Sequence, residues 1–402
     1  MATTLLYTFQ DAVEDLLDPV GDGFTARDRR MARRAVQDAY LSLVNAHRWG
    51  YFYQHGSVST VADESTSGTT GTIAYDHTGG AAERLVTITD STWPDWAEYG
   101  TLLIDGRPYN VESRESDTTL TLTAATNPGA DVAAGTSYTI YRDTYPLAIN
   151  FLQAGPLRDV VNGYEPDYVR PSDWLEVASQ SFTPATPRWY TFIGEPEHYG
   201  TMAVRFMPPP TAACVYDFPY RRAARQLLTE RSAAGTVSTA GTAVTGVGTA
   251  FNSLVHPGSV IRLALSSANP EPGGLAGGLE GGVYYVQRIV LSVASTTSLV
   301  MDASAGSNLS GVRYTISDPL DINTNTMLGA LRAMARAEMA EMTDARSESR
   351  YARSVTRYRE KATQALLEAM AADEMSHADF VVGRTGGESY PQLGPDEPVV
   401  VE

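Results

Sequence analysis

The sequence predicts an α+β protein with a helical core, a small antiparallel sheet and two inserted all-β modules. Three observations predict this class. Apolar residues recur at helical spacing near the N terminus and again after residue 319. Between them, from about Trp49 to Asp318, short alternating runs rich in Thr, Val, Ser, Gly and Tyr are typical of strands joined by tight turns. Two stretches of this β-rich region also resemble each other, which indicates an internal repeat.

Two helices are predicted before residue 50. The first carries an apolar series and ends before Pro19. The second is expected from about Ala26 to His47, because Thr25 can cap it and Asp28 suits the positive end of the helix dipole. One face of this helix carries an apolar stripe assigned to the core: Ala32, Ala35, Val36, Ala39, Tyr40, Leu43 and Val44. The opposite face carries Arg27, Arg29, Arg30, Arg33 and Arg34. This basic face is either simply solvated or the contact surface for an acidic partner or a phosphate.

The repeated stretches run from about Gly71 to Asp143 and from about Gly235 to Asp318. At one constant offset, Trp93, Gly100 and Leu102 align with Phe251, Gly258 and Val260. Further along, Tyr109 and Val111 align with Tyr284 and Val286, Leu120 with Leu299, and Tyr138-Thr139-Ile140 with Tyr314-Thr315-Ile316. We interpret the stretches as two copies of one small β-module, a barrel or sandwich of short antiparallel strands. Chance similarity among strands rich in Thr and Gly is the alternative.

Removing both modules leaves three pieces that together predict one core domain. The pieces are residues 1–64, 144–234 and 319–375, and the inserted modules are residues 65–143 and 235–318. Such insertions are expected in surface loops, where the entropy of loop closure grows slowly with loop length. In the middle piece, three strand-like runs near Trp189–Ile193, Met202–Met207 and Val215–Phe218 predict a meander.

The last third of the chain is predicted to be helical. Neither Gly nor Pro interrupts Ala330–Ala372, which is consistent with one long helix. A polar patch at Thr343–Arg350 makes two helices with a hinge an equal alternative. Residues 376–402 are interpreted as an extended acidic tail with no core of its own, ordered only against a partner.

Charge and composition limit the function classes. The formal net charge of −17 repels a polyanion over most of the surface, which disfavours general coating of nucleic acid. The single cysteine excludes a disulfide scaffold. The sequence contains no apolar stretch of membrane-spanning length and no signal-peptide pattern at its start, so we expect a soluble, non-exported chain without a membrane partner.

The sequence carries no recognisable catalytic motif. It has no GxSxG, HExxH, CxxC or GxxxxGK[ST] pattern, and its six histidines are scattered singly. We therefore predict no catalytic, cofactor-binding or metal-binding residues and no enzymatic activity. A hydrolase with a composite carboxylate site remains an alternative, because spacing in sequence does not show whether two carboxylates meet.

The middle segment resembles a known family. The features follow in the order Pro187-Arg188-Trp189-Tyr190 with Gly194, then Val204-Arg205-Phe206-Met207-Pro208-Pro209-Pro210, then Tyr216 and Tyr220-Arg221-Arg222. This order resembles the central sheet of the head-to-tail connector proteins of tailed bacteriophages. The N-terminal helix that ends in Arg48-Trp49-Gly50 and passes into a strand is similar to the adaptor, or tail tubular, subunits of short-tailed phages. The two β-modules depart from the minimal family pattern and are similar to add-on β-domains of phage structural proteins.

The resemblance implies a structural virion protein at the head–tail interface, assembled in the host cytoplasm. It implies a homo-oligomeric ring, usually of twelve subunits, docked beneath the portal and joined to a tail nozzle or tube protein, with tail fibres as a further partner. Double-stranded DNA would pass through the lumen without specific binding, which an acidic chain suits. The family often uses its C-terminal segment against the portal. The residues predicted at partner interfaces are Arg27, Arg29, Arg30, Arg33, Arg34, Tyr351, Tyr358 and Tyr390.

Two other binding functions stay open at this stage. Within the phage interpretation, a stopper or tail-tube role is an alternative to the adaptor. In a different setting, paired β-modules could bind carbohydrate through exposed aromatic side chains, for which Trp93, Trp96, Tyr284 and Tyr285 are the candidates.

Overall fold

The fold is α+β, as the sequence predicts. The computed structural model describes residues 6–18, 24–68, 71–78, 83–178, 183–195, 201–268, 285–344 and 352–381. Within these ranges lie six helices: α1 (Phe9–Leu17), α2 (Ala26–Ala46), α3 (Trp174–Ala178), α4 (Phe251–Leu254), α5 (Leu328–Asp344) and α6 (Ala352–Val381). None of them is both long and apolar enough to span a membrane. The chain forms two compact units, one of Phe52–Ala223 and one of Met1–Tyr51 with Ala224–Glu402. The predicted three-piece core stays a prediction.

The unit of Phe52–Ala223 is built mainly from strands. Outside the first repeat these are β1 (Tyr53–Ser59), β10 (Thr144–Pro146), β11 (Phe151–Ala154), β12 (Arg158–Asp159), β13 (Asp167–Tyr168), β14 (Trp189–Gly194), β15 (Met202–Met207) and β16 (Val215–Arg222). One sheet has the order β1-β16-β11 with β12 also on β16, and a second has the order β10-β15-β14-β13. Their shared core is rich in aromatic residues, including Phe151, Phe206 and Phe218.

The predicted three-stranded meander is wrong. Strands β14 and β15 pair as expected, but β16 belongs to the other sheet, where it pairs with β1, β11 and β12. The reason is the run Pro208-Pro209-Pro210 after β15. Proline donates no backbone hydrogen bond and fixes its own backbone angle, so the run ends the strand before a tight hairpin can form.

The first repeat and the short strand before it contain β2 (Glu64–Ser65), β3 (Thr72–Asp76), β4 (Leu85–Thr89), β5 (Thr101–Ile104), β6 (Arg107–Arg114), β7 (Thr119–Leu122), β8 (Val132–Thr136) and β9 (Tyr138–Tyr141). They form an eight-stranded sheet with the order β2-β9-β5-β6-β7-β4-β3-β8. The second repeat lies in the other unit, and its strands are β17 (Thr236–Ala240), β18 (Ala243–Val247), β19 (Val260–Ala264), β20 (Tyr285–Ser295), β21 (Ser298–Met301) and β22 (Tyr314–Ser317). They form a six-stranded sheet with the order β17-β18-β21-β20-β19-β22.

The two repeats share one strand arrangement. Six strands of the first sheet are hydrogen-bonded in the order β3-β4-β7-β6-β5-β9, and the six strands of the second sheet in the order β17-β18-β21-β20-β19-β22. When the strands of each set are numbered by their position along the chain, the two orders are identical. Each repeat also places a short helical turn between its second and third matched strands, at Asp95–Tyr99 and at α4. The aligned aromatic residues Trp93 and Phe251 are both buried. Each lies edge-on to a tyrosine, with ring centroids 5.2 Å apart for Trp93 and Tyr138 and 5.8 Å apart for Phe251 and Tyr314.

Strand pairing corrects two of the aligned positions. Leu102 pairs with Ile140, whereas Ile316, the counterpart of Ile140, pairs with Ile261. The residue equivalent to Leu102 is therefore Ile261, one position beyond the predicted Val260.

The second correction concerns strands β6 and β20. Val111 pairs with Leu122, and the residue that pairs with Met301 at the same place in the second repeat is Val290. Val111 therefore corresponds to Val290, four positions beyond the predicted Val286. Leu120 and Leu299 correspond as predicted, because they pair with the equivalent residues Val86 and Val244. Tyr284 lies outside the described residues.

The helices α1, α2, α5 and α6 belong to the unit that contains the second repeat. Helices α1 and α2 are confirmed nearly to the residue, and the predicted apolar stripe of α2 is buried. Helix α5 packs against α1, α2 and α6. The C-terminal helical region consists of two helices, α5 and α6, whose side chains meet in an ion pair between Glu341 and Arg359. Of the two alternatives, the broken helix is therefore correct.

Candidate interface on helix α2

Both ends of helix α2 are fixed by carboxylates. At its start the Asp28 carboxylate accepts hydrogen bonds from the backbone N–H and the hydroxyl of Thr25, each at 2.7 Å. These two hydrogen bonds lower the pKa of Asp28. Just beyond its end the Asp373 carboxylate, carried by α6, accepts from the backbone N–H of Gly50 at 3.1 Å and lies 3.3 Å from the His47 ring. The helix is thereby held in one orientation, with its alanine-rich stripe inward.

Helix α2 carries the five predicted arginines, and they have different surroundings. Arg27, Arg30, Arg33 and Arg34 are exposed, whereas Arg29 is half-buried. Arg29 forms an ion pair with Glu230 at 2.6 Å. The structure thus assigns Arg29 a contact within its own unit, and leaves the other four on an exposed surface that we call the basic face.

The basic face retains uncompensated positive charge. Arg34 lies 3.5 Å from Asp38, one turn further along the helix. Arg33 donates to the carbonyl oxygen of Leu228 at 3.1 Å, which does not neutralise it. Within the described ranges, Arg27, Arg30 and Arg33 form no ion pair. The sequence prediction of a basic cluster is therefore realised as a surface that can attract an anion.

An open groove continues from the basic face along α2. It has a volume of about 380 Å³ and lies between the helix and the segment 224–228. Its lining residues are Gln37, Asp38, Tyr40, Leu41, Ala224, Arg225, Gln226, Leu227 and Leu228. Leu41 is 54% exposed and Leu228 is 51% exposed, so the groove presents apolar surface to solvent. The groove could not be predicted from the sequence, because segment 224–228 has no regular secondary structure that would indicate its position.

The predicted tyrosines do not add to this surface. Tyr358, on α6, is 41% exposed, which is compatible with an interface role. Tyr351 and Tyr390 lie outside the described residues.

The first β-module carries a second charged surface that sequence analysis did not single out. Between residues 65 and 143 there are eleven acidic and four basic residues, whereas residues 235–318 contain four acidic and three basic residues. The acidic side chains exposed on the first module are Asp76, Glu83, Asp90, Asp95, Asp105, Glu112, Glu115, Asp117 and Asp131. Because the two modules share a strand arrangement but not this charge, the acidity is not a requirement of the fold. The unequal charge of the two repeats is the signal that would have revealed it.

Two of the four aromatic residues considered for carbohydrate binding pack in a core. Trp93 is 2% exposed, and Trp96 packs against the same buried cluster. Tyr284 and the side chain of Tyr285 lie outside the described part of the chain. The two tryptophans therefore do not form an exposed stacking platform.

No arrangement of catalytic or metal-binding side chains was identified in the part of the chain that the structure describes, and within it no group of three or more His, Cys, Asp or Glu residues is placed to hold a metal ion. Comparison of the chain with protein-family models, with curated proteins and with solved structures finds no match.

Proposed function

We propose that this chain is a non-enzymatic structural protein of a tailed phage virion, a head-to-tail adaptor that forms a ring beneath the portal. In this proposal the ring, of about twelve copies by the family resemblance, joins the portal to a tail nozzle or tube protein. Tail fibres are a further partner. The genome passes through the lumen without specific binding, which the net charge of −17 favours.

The observation that carries the proposal is the separation of charge within one chain. The basic face of α2 belongs to one compact unit, and the acidic surface of the first β-module belongs to the other. A closed ring needs two different, complementary patches on every subunit, because each copy contacts the next one head to tail. Opposite charges on such patches speed association and disfavour wrong pairings.

The family resemblance adds support from a different part of the chain. The segments that carry it are helix α2 with Arg48-Trp49-Gly50 shortly after its end, and the strands β14 and β15. Strand β16, which the resemblance placed in the same sheet, pairs in the other sheet. The β-modules would thicken the collar or brace it against neighbouring proteins.

The test is the mass of the purified chain in solution, measured by light scattering with negative-stain imaging, alone and after mixing with a portal ring. We expect rings with a central hole, or a monomer that becomes a ring on the portal. A stable monomer that does not bind the portal ring would contradict the proposal. A glycan array would then test carbohydrate binding.

A charge-reversal variant makes the test specific to the basic face. Arg27→Glu with Arg30→Glu reverses two exposed charges that form no ion pair with a described residue. We expect ring formation to be lost. The matched control reverses the exposed Arg170 and Arg313, which lie outside α2 and outside the first β-module, and should leave rings intact. Equal assembly of both variants would remove the basic face from the proposal.

A further inference from the structure

The groove beside α2 exposes apolar side chains to solvent, and covering them with another apolar group would be favourable. Leu41 on α2 and Leu228 on the segment 224–228 both line it, with about half of each side chain exposed. Burying apolar surface away from water is favourable, so an occupant with aliphatic side chains would be stabilised there. Hydrogen bonds from Gln37 to the carbonyl of Leu227 and from Arg33 to that of Leu228 hold the two walls at a fixed separation.

The charges around the groove select the occupant. Arg30, Arg33 and Arg34 precede Gln37 by one to two turns of α2, so they lie at one end of the groove. Asp38 also lines the groove, but it lies 3.5 Å from Arg34 and is compensated by it. An occupant with an apolar stretch and an acidic end therefore fits best.

One segment of this chain has that composition. Residues 382–402 contain a single run of three aliphatic residues, Val399-Val400-Val401. Asp396 and Glu397 precede this run and Glu402 follows it, so an acidic side chain reaches the arginines whichever way the segment lies. β-branched residues also favour the extended backbone that a narrow groove accepts.

The segment is long enough to reach the groove of its own chain. Helix α6 ends at Val381, eight residues after Asp373, which lies 3.3 Å from His47 at the end of α2. Eight helical residues span about 12 Å, and the stretch of α2 from Leu41 to His47 spans about 9 Å. The residues between Val381 and Val399 can extend to about 60 Å, which exceeds this separation.

We propose that the C-terminal segment Asp396–Glu402 docks into the α2 groove of its own chain. The valine side chains cover Leu41 and Leu228, and the carboxylate or carboxylates at one end of the segment lie beside Arg30 and Arg33. The docked segment shields the apolar groove and part of the basic face in the unassembled chain. This contact is a property of the single chain and does not depend on ring formation.

The experiment measures a distance within the full-length chain. Cys214 is replaced by Ser, spin labels are attached at Ser42→Cys on the exposed side of α2 and at Pro398→Cys, and the distance distribution is recorded by pulsed electron paramagnetic resonance. A docked segment gives one narrow distance population. A broad distribution in the parent chain overturns the proposal.

Groove variants and dilution complete the test. Leu41→Asp with Leu228→Asp should abolish the narrow population, whereas Leu291→Asp, an equally exposed leucine on β20, should preserve it. Because all three leucines are more than 45% exposed, the substitutions leave the core intact, which circular dichroism checks. A narrow population that survives the groove substitutions overturns the proposal. A narrow distance population that disappears when the labelled chain is diluted with unlabelled chain also overturns the proposal, because the segment would then dock on a second copy.

Discussion

The guanidinium of Arg262 forms a two-pronged ion pair with the carboxylate of Asp11, with both N–O distances at 2.7 Å and both residues only 2% exposed. Arg262 lies on β19 of the second β-module, and Asp11 lies in the first turn of α1. Arg262 also donates to the carbonyl oxygen of Leu6 at 2.9 Å. The pair therefore joins the N-terminal helix to the second module.

Removing one partner of this pair should be severely destabilising. Asp11→Ala leaves a buried guanidinium without its counter-charge, so we expect the free energy of unfolding to fall by about 3–5 kcal/mol. The double change Asp11→Leu with Arg262→Met removes both charges and should cost much less. Urea denaturation followed by tryptophan fluorescence measures both. Asp28→Ala is the control, because Asp28 makes the same capping contacts at the exposed start of α2 without a buried arginine. A loss for Asp11→Ala no larger than that for Asp28→Ala would contradict the role of the pair.

Trp93 should tolerate phenylalanine far better than alanine. Its indole Nε1 has no hydrogen-bond partner in the described structure, and the second repeat has Phe251 at the matching position. We expect Trp93→Phe to lower stability by about 1–2 kcal/mol. Trp93→Ala opens a cavity and should cost about 3–5 kcal/mol. Thermal unfolding distinguishes the two. Equal losses would show that the indole makes a contact that a phenyl ring cannot replace.

The aspartates that end the two repeats should differ in importance. Asp318 is buried and accepts hydrogen bonds from the backbone N–H groups of Leu228 and Thr229 at 2.8 and 2.7 Å and from the Ser259 hydroxyl at 2.8 Å. Asp143 has side-chain donors, chiefly Arg205 at 2.7 Å. Asp318→Ala leaves two backbone N–H groups without an acceptor, which should lower the free energy of unfolding by about 1–3 kcal/mol for each group. Asp143→Ala should cost less, because Arg205 is partly exposed and its guanidinium can turn to solvent. Urea denaturation of each variant measures the two losses of stability. A larger loss for Asp143→Ala than for Asp318→Ala would contradict the prediction.

The amino-acid sequence predicts the parts of the fold that depend on local periodicity. Helices α1 and α2 follow from apolar spacing and from the Thr25 cap, and the repeat follows from anchors such as Trp93 and Phe251. The misaligned positions have a physical cause. Val286 and Val290 are four residues apart on one strand, and side chains on a strand alternate between faces with a period of two. An even shift keeps the apolar residues on the same face, so alternation does not detect it.

Other features depend on contacts between distant residues. All five residues of β19 are buried, so this strand has no alternation to distinguish Val260 from Ile261. Arg262 on the same strand is paired with a carboxylate 251 positions earlier in the chain, which no local pattern indicates. The candidate groove likewise depends on where the irregular segment 224–228 lies against α2. The basic face was predictable because its arginines all lie on one helix.

Two glutamates on α5 should respond to pH in opposite directions. Partial burial, with the nearby carboxylates of Glu341 and Asp38, raises the pKa of Glu338, so its ionisation destabilises the folded chain as pH rises above the ordinary value of 4.5. The Arg359 side chain, by hydrogen bonding to Glu341, lowers the pKa of that carboxyl, so its ionisation is stabilising above 4.5 and the benefit is lost as pH falls. We therefore expect Glu338→Gln to raise the free energy of unfolding at neutral pH and Glu341→Gln to lower it.

Each change in the free energy of unfolding should stay below about 1 kcal/mol, because these groups are partly solvated. Both differences should shrink as the pH approaches about 4, where the carboxylates gain protons in folded and unfolded chains alike. Urea denaturation at the two pH values measures them, and effects of the same sign would contradict the assignment of opposite environments.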